Sequence, residues 1–309
     1  MTRSEFSHSQ HVNAAQIPFH LQSQNFGGQS MISDLKRVLV RAPDSSFAHA
    51  DPELWHYTEK INYEKAQQEH DYLMSIFTKE GVEVIYHKEP LPRHADAIYV
   101  HDPVLITNWG AILLRMGKEL RRGEEAAMKN TLVSLNIPIL HELSEQSFAE
   151  GGDTLWLDEK TLIVGRGFRT NLTAIQELAF ILNPLGIQVE YFDLPYDLGE
   201  RACLHLQSFI SLVDEKKAIV YRKLMPSAFY QLLRSRNFEL IDVPDEEYLS
   251  MGCNVLCIRP GVCVALENNQ ITIKKLRDAG CKVHTYDGAN ISLKAEGGPT
   301  CLTRPLLRL

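Results

Sequence analysis

The sequence predicts an α/β fold in which one ββαβ unit recurs around a pseudo-fivefold ring, and three observations carry that expectation. From Asp102 onward, two short apolar strands, an amphipathic helix and a further strand follow one another in successive copies. A polar or reactive residue stands just before each hairpin. The last copy, opening at Cys301 with CLTRPLLRL, is cut short, and its missing helix and strand lie near the other end, in INYEKAQQEHDYLMSIFTKEG and VEVIYH. The two ends of the chain are therefore expected to complete one module together and close the ring.

Taken in order, apolar alternation begins with LKRVLVRAP. The segment Glu59–Lys79 then carries Ile61, Ala66, Tyr72, Leu73 and Ile76 at helical spacing and stops at Gly81. Asp96 and Asp102 bracket AIYVH; six residues apart, they should share one face of a strand, where two acids need a cation beside them. Asp102 precedes VLIT and AILLRM, followed by a helix from RRGEEAAMKNTLVSL, with acids in its first turn to suit the helix dipole, and the strand IPILHEL. Asp153 precedes TLWL and TLIVGR, then the helix TNLTAIQELAFIL and the strand IQVEYFDL. Thr170 or Asn171 caps that helix, so Asn171-Leu172-Thr173 reads as a helix start and not as a glycan site. His205 precedes FISLVD, AIVYRK, PSAFYQLLRSR and FELIDVP; Cys253 and Asn254 precede VLCI, VCVALE, NQITIKKLRDAG and CKVHTYD. Strands apolar on both faces call for helices outside and leading strand ends inside, where connecting loops carry function.

With 44% hydrophobic residues, the 309-residue chain can build one continuous core, and a single domain is expected from residue 31 to 309. Residues 1–30, rich in Ser, Gln, His and Asn, read as a flexible arm. The 39 acidic and 32 basic residues give a net charge of -7, which offers no footprint for nucleic acid and suits a cationic small-molecule partner; a homodimer is left open. No apolar run approaches the roughly 20 residues of a membrane span, and the polar start lacks a signal-peptide core, so a soluble, cytoplasmic protein is expected. The six cysteines lack CxxC spacing, and several fall in apolar strands, which favours buried, reduced thiols over disulfides or a zinc site. Without a Walker loop, GxGxxG after a strand, HExxH or GxSxG, no nucleotide or metal cofactor is expected.

Chemistry-bearing candidates stand at the module starts. Cys301 lies in EGGPTC, a glycine-bearing turn that could hold a thiolate nucleophile, whereas Cys203, Cys257, Cys263 and Cys281 read as small core residues. His205, in CLHLQSF, titrates near neutrality and could pass a proton to a leaving amine and later take one from water. Glu150 and Asp153 form EGGD, whose glycines permit close packing and whose acids could orient an imidazole. Asp96 and Asp102 would pair with a guanidinium or amidinium. Arg121, Arg122 and Arg169, in loops entering or leaving modules, could grip a carboxylate through two parallel hydrogen bonds.

In their order and spacing, DAIYVHDP, LRRGE, EGGD, FRTN, LHLQS and GGPTCLTRP resemble the guanidine-modifying enzymes of the pentein superfamily, most closely the dimethylarginine dimethylaminohydrolases, over roughly residues 31–309. The resemblance implies a propeller of five ββαβ modules. It implies Cys301 as nucleophile, His205 as general acid and base, Glu150 as the carboxylate holding the histidine, Asp96 and Asp102 as guanidinium ligands, and Arg121 and Arg169 as ligands of the substrate carboxylate. The implied reaction is hydrolysis of a guanidino C–N bond in N-methylated arginine or arginine, through an S-alkylthiouronium adduct on Cys301. Two departures stand out: His101, where similar methylarginine hydrolases can carry Glu, and Gln207, where arginine deiminases and amidinotransferases place Asp. An amidinotransferase and a ribosome-binding translation factor with the same fold are the alternative readings.

Overall fold

The computed structural model describes residues 25–309, and these form five three-stranded sheets built to one plan. In four of them a hairpin is followed by a helix and then a third strand, which pairs parallel to the hairpin's second strand. These are β3 (Val104–Thr107), β4 (Gly110–Leu113) and β5 (Ile139–Glu142); β6 (Thr154–Asp158), β7 (Thr161–Arg166) and β8 (Gln188–Asp193); β9 (Ile210–Asp214), β10 (Lys217–Val220) and β11 (Glu239–Asp242); and β12 (Leu256–Arg259), β13 (Val262–Leu266) and β14 (Lys282–Tyr286). The fifth sheet joins the two ends of the chain. β1 (Leu35–Val40) pairs antiparallel with β15 (Arg304–Arg308) and parallel with β2 (Glu83–Tyr86).

The crossover helices are α1 (Tyr63–Lys79), α2 (Glu124–Ser134), α3 (Leu172–Leu182), α4 (Ser227–Ser235) and α5 (Gln270–Asp278). Side-chain caps fix two of these starts: the Asn62 side chain accepts from the Lys65 amide, and Asn171 accepts from that of Ala174. Apolar faces then choose the packing. β4 and β13 are buried along their whole length, whereas every third strand is partly exposed, as the outer strand of a small sheet should be. Each main core cluster spans two consecutive sheets. Leu105 and Ile112 meet Trp156 and Leu162; Leu155 and Ile163 meet Ile210 and Leu212; Val213 and Ile219 meet Cys257 and Cys263. Leu256 and Val264 in turn meet Val38 and Val40, while Leu39 and Leu306 meet Val104 and Ile106. Every sheet thus packs on the next, and the last on the first.

Several expectations change in detail. Residues 1–24 of the expected arm lie outside the described residues, but residues 25–30 are pinned to the domain: the Gly27 amide donates to Leu306, and buried Gln29 bonds Glu159 and Asn108. Asp96 and Asp102 do not share a strand face. Residues Ala95–Ile98 form a 3-10 turn and strand pairing starts only after Pro103, because β3 is the first segment there to meet a partner strand. In α1 the buried face runs through Ala66, Leu73, Met74, Ile76 and Phe77, leaving Tyr72 54% exposed. Cys203 is exposed and not a core residue, while Cys253, Cys257, Cys263 and Cys281 are buried; none of the six is in a disulfide. No helix among the described residues is long and apolar enough to cross a membrane.

His87, buried beside β2 with Nδ1 on the Thr131 hydroxyl, has its pKa pushed down to about 4 by burial and then by Arg41. Below pH 6.5 the unfolded chain takes up a proton that the folded chain refuses, so stability falls as the pH drops from about 6.5 towards 4. In urea melts, the wild-type protein should lose about 2 kcal/mol more than His87→Gln between pH 7.5 and pH 5. Equal losses in the two proteins would show that His87 is not held neutral.

Candidate active site

The leading ends of the hairpins converge on one cavity of about 170 Å³. Four module-start residues line it: Asp102 before β3, His205 before β9, Asn254 before β12 and Cys301 before β15. The fifth, Asp153, is turned into the protein. Its Oδ2 accepts from the Thr170 hydroxyl at 2.7 Å and its Oδ1 from the Leu206 amide at 2.9 Å, and burial lifts its pKa to about 6. Asp153 therefore ties the His205 segment to the loop after β7.

Glu150, fully buried at the turn before β6, organises the centre. One oxygen lies 2.8 Å from His205 Nε2, the other accepts from the Lys118 amide at 2.9 Å, and Arg169 Nη1 approaches both at 3.2–3.3 Å. Burial alone would favour the protonated acid, but Arg169 and His205 outweigh it and hold the carboxyl well below the usual range. His205 moves the other way: burial opposes its charge, yet Cys203, Asp153 and Glu150 keep its pKa well above the ordinary value. Gly152 lies directly against this ring, and a methyl group there would run into Nδ1. Gly152 of EGGD is thus a steric condition for placing His205, while Gly151 packs on the His101 carbonyl.

Cys301 is partly exposed to the same cavity, and the Asn254 amide donates to its Sγ at 3.2 Å. Burial and Asp102 push the thiol up to about 11, against the lowering pull of Asn254 and His205. At neutral pH the unliganded site therefore holds a thiol beside an imidazolium. A cation arriving next to Sγ would shift that balance towards thiolate.

The two acids that should hold a guanidinium are both buried and both already matched by cations. Asp96 accepts from Tyr57 at 2.8 Å and from Lys118 Nζ at 2.6 Å; Lys118 also reaches the Trp55 carbonyl and lies 5.0 Å over its ring. Asp102 accepts from the Gly152 amide at 3.0 Å and from Arg121 Nη1 at 2.6 Å. Arg121 donates from all three nitrogens, to Asp102, to Glu124 and to the Tyr99 carbonyl, so its guanidinium is engaged within the protein. Among the described residues Arg169 bonds through Nη1 alone, and its side chain lines the cavity. Arg122 is exposed and pairs with Glu119 outside the site.

His101 and Gln207, two separate departures in the sequence, touch each other. His101 Nδ1 donates to the Thr303 carbonyl at 2.9 Å, so Nε2 is the acceptor that receives the Gln207 amide at 3.1 Å. Burial lowers the His101 pKa to about 3 and keeps the ring neutral. Together they make an uncharged stretch of wall beside Asp102. Sequence reasoning missed Lys118, Tyr57, Asn254 and Cys203, whose Sγ sits 3.6–3.7 Å from both His205 nitrogens. Two of these carried a local signal: Asn254 stands at a module start, and Cys203 two residues before His205. The donors of Glu150, Cys203 and His205 lie within 4.8 Å of one another, the one cluster among the described residues spaced for a metal. Glu150 and His205 already satisfy each other there, so the arrangement needs no ion.

Comparison with known proteins places this cavity in context. The family described as N,N dimethylarginine dimethylhydrolase, eukaryotic, matches residues 42–308. The uncharacterized protein YkgA of Bacillus subtilis is 28% identical over 252 residues, covering 81% of this chain and 83% of that protein. An arginine deiminase of Listeria welshimeri is 26% identical over 262 residues, 71% of this chain, and the chain spans 63% of that longer relative. A solved structure of the Pseudomonas aeruginosa dimethylarginine dimethylaminohydrolase, a cysteine-to-serine mutant complexed with citrulline, shares the fold at a TM-score of 0.73 and 22% identity, covering 89% of this chain and 100% of that one.

Replacing Glu150 by Gln removes the buried anion that opposes the desolvation of His205. The imidazole pKa, followed by NMR of labelled histidine, should then fall by about one pH unit or more. An unchanged titration would mean that Glu150 does not support the charged ring.

Proposed function

The chain belongs to the N,N dimethylarginine dimethylhydrolase family, and on that premise we propose that it hydrolyses a guanidino C–N bond of arginine or an N-methylated arginine, releasing citrulline and ammonia or the amine. The observation that carries this reading is one cavity in which a polarised thiol, a charged imidazole backed by a buried carboxylate, and two buried acids face a common space. The closed succession of five sheets, each packed on its neighbour, fits a five-module ββαβ propeller whose axis end is the active site.

The guanidinium enters as a cation beside Asp96 and Asp102. Its charge offsets the burial that keeps Cys301 protonated, and the thiol proton leaves to solvent. Sγ attacks the central carbon, forming a C–S bond. His205 gives its proton to the nitrogen of the departing amine as that C–N bond breaks, which leaves an S-alkylthiouronium. His205, now neutral, takes a proton from water, whose oxygen attacks the same carbon. The C–S bond breaks as the adduct's hydroxyl gives up its proton to the departing Cys301 sulfur, which restores the thiol and leaves the ureido product. Glu150 stabilises the charged form of His205 at each turn, while Arg121 fixes the direction of Asp102.

The neutral His101–Gln207 pair puts no carboxylate on the stretch of wall beside Asp102, so Asp96 and Asp102 are the buried acids that face the substrate's charge. One nitrogen of the guanidinium thus faces uncharged groups, an environment that tolerates alkyl substitution better than a carboxylate would. Monomethylarginine and dimethylarginine are therefore leading substrates alongside arginine.

Citrulline formation from arginine, monomethylarginine and dimethylarginine should fall by at least about a thousandfold in Cys301→Ala. Acid-quenched wild-type protein should show added mass on the peptide containing Cys301. Turnover that survives the substitution would overturn the nucleophile, and an amidino group recovered on added glycine or ornithine would replace hydrolysis by transfer.

A further inference from the structure

The core between β9–β10 and β12–β13 holds four of the six cysteines, Cys253, Cys257, Cys263 and Cys281, none of which lines the cavity. Three of them form a row on one sheet face. Cys257 of β12 stands directly opposite Cys263 of β13, and Cys263 pairs in turn with Val283 of the parallel β14. Cys281 lies two residues before Val283, and the period of two returns it to the face that Cys263 occupies. The Cys257 and Cys263 thiols both reach the Val213 carbonyl, at 3.4 and 3.6 Å, so their sulfurs point into the same space.

Directly opposed residues of an antiparallel pair stand about 4.5–5.5 Å apart at Cα, inside the roughly 4.4–6.8 Å that a disulfide spans. Cys257 and Cys263 therefore meet the backbone condition for a bond without moving a strand. The row is not spaced for a metal: among the described residues the one such trio of donors is Glu150, Cys203 and His205. Cys281 is the end nearest to solvent, 5% exposed against 1% for Cys257 and 0% for Cys263. Beside it, the partly exposed Lys217 donates to the Ala279 carbonyl at 3.0 Å. A hydrogen bond with Cys263 lowers the Cys281 pKa against burial, with Lys217 helping, whereas Cys263 is raised by Cys257, Cys281 and burial. Thiolate character is thus concentrated at the accessible end of the row.

We propose that Cys257, Cys263 and Cys281 are a site of reversible oxidation by hydroperoxides, separate from Cys301, which closes a cross-strand disulfide between Cys257 and Cys263. The Cys281 sulfur attacks one peroxide oxygen, the O–O bond breaks, and an alcohol or water leaves, so that Cys281 becomes a sulfenic acid. Cys263 attacks that sulfur; an S–S bond forms, the S–O bond breaks, and the Cys263 proton leaves in water. Cys257 then attacks Cys263 and gives its proton to the departing Cys281, which puts the bond across the hairpin. Two thiols are oxidised, one hydroperoxide is reduced, and an added dithiol reverses the change. The site rests on sheet register and not on the guanidine-hydrolase reading. The hairpin it staples is the one whose leading end presents Asn254 to Cys301.

The double variant Cys203→Ser/Cys301→Ala removes both thiols of the cavity and leaves four of the six cysteines. Hydrogen peroxide should consume two of those four thiols in the folded protein, and dithiothreitol should return them. Fragmentation of the peptide from Cys253 to Cys263 should then place the bond between Cys257 and Cys263, a readout that needs no substitution in the row. Adding Cys281→Ala should slow the loss about tenfold. With Cys257→Ala the exchange should stop, so that peptides holding Cys263 and Cys281 are recovered linked. With Cys263→Ala no disulfide should form, and dimedone should capture a sulfenic acid on Cys281. Four thiols still titratable after peroxide, or two lost equally fast with no bond on Cys263, would overturn the site.

Discussion

Glu150 is a carboxylate removed entirely from water, and the architecture of the site follows from the need to satisfy it. An isolated buried charge costs several kcal/mol, so its oxygens must collect strong donors. They collect the Lys118 amide from the segment after β4, the Arg169 guanidinium from the loop after β7 and the His205 ring from the approach to β9. Three segments distant in sequence are thereby drawn to one point. The histidine that results is charged despite burial, because the carboxylate that positions it also stabilises it.

The same economy runs through the rest of the cavity. Asp96 has Lys118, Asp102 has Arg121, and Glu124 shares Arg121 with Asp102. A cationic substrate therefore enters a site whose charges are already oriented and nearly balanced, which limits reorganisation when it binds. The neutral pair of His101 and Gln207 belongs to this arrangement. Each is uncharged, each satisfies the other, and neither leaves a buried acid without a cation.

Much of the fold was legible in the chain. Short strands rich in Val, Ile and Leu, separated by helices with capping residues, set out five similar units, and the truncated last unit matched the missing pieces at the start. β15 pairing with β1 is that match realised. Reading failed where local pattern and tertiary contact disagree. AIYVH alternates like a strand but has no partner strand to pair with, and so folds into turns. Tyr72 falls on the helical stripe by count, yet the neighbouring sheet is already covered by Leu73, Ile76 and Phe77, which leaves it outside. Lys118 carries no signal of its own, since a lysine in a polar loop looks like any solvated one until Asp96, Tyr57 and Trp55 close around it.

By itself the sequence determined the repeat, the register of its module starts and therefore which residues could meet: hydrophobic period and capping are local properties, and they act wherever the segment lies. Only the tertiary structure decided which of those residues face the cavity and which charges are already taken. It turned Asp153 inward, bound Arg121 to Asp102 and Glu124, and joined His101 to Gln207. The physical reason is that the state of a charge depends on burial and on neighbours brought from other modules, and neither is encoded in the residues beside it in the chain.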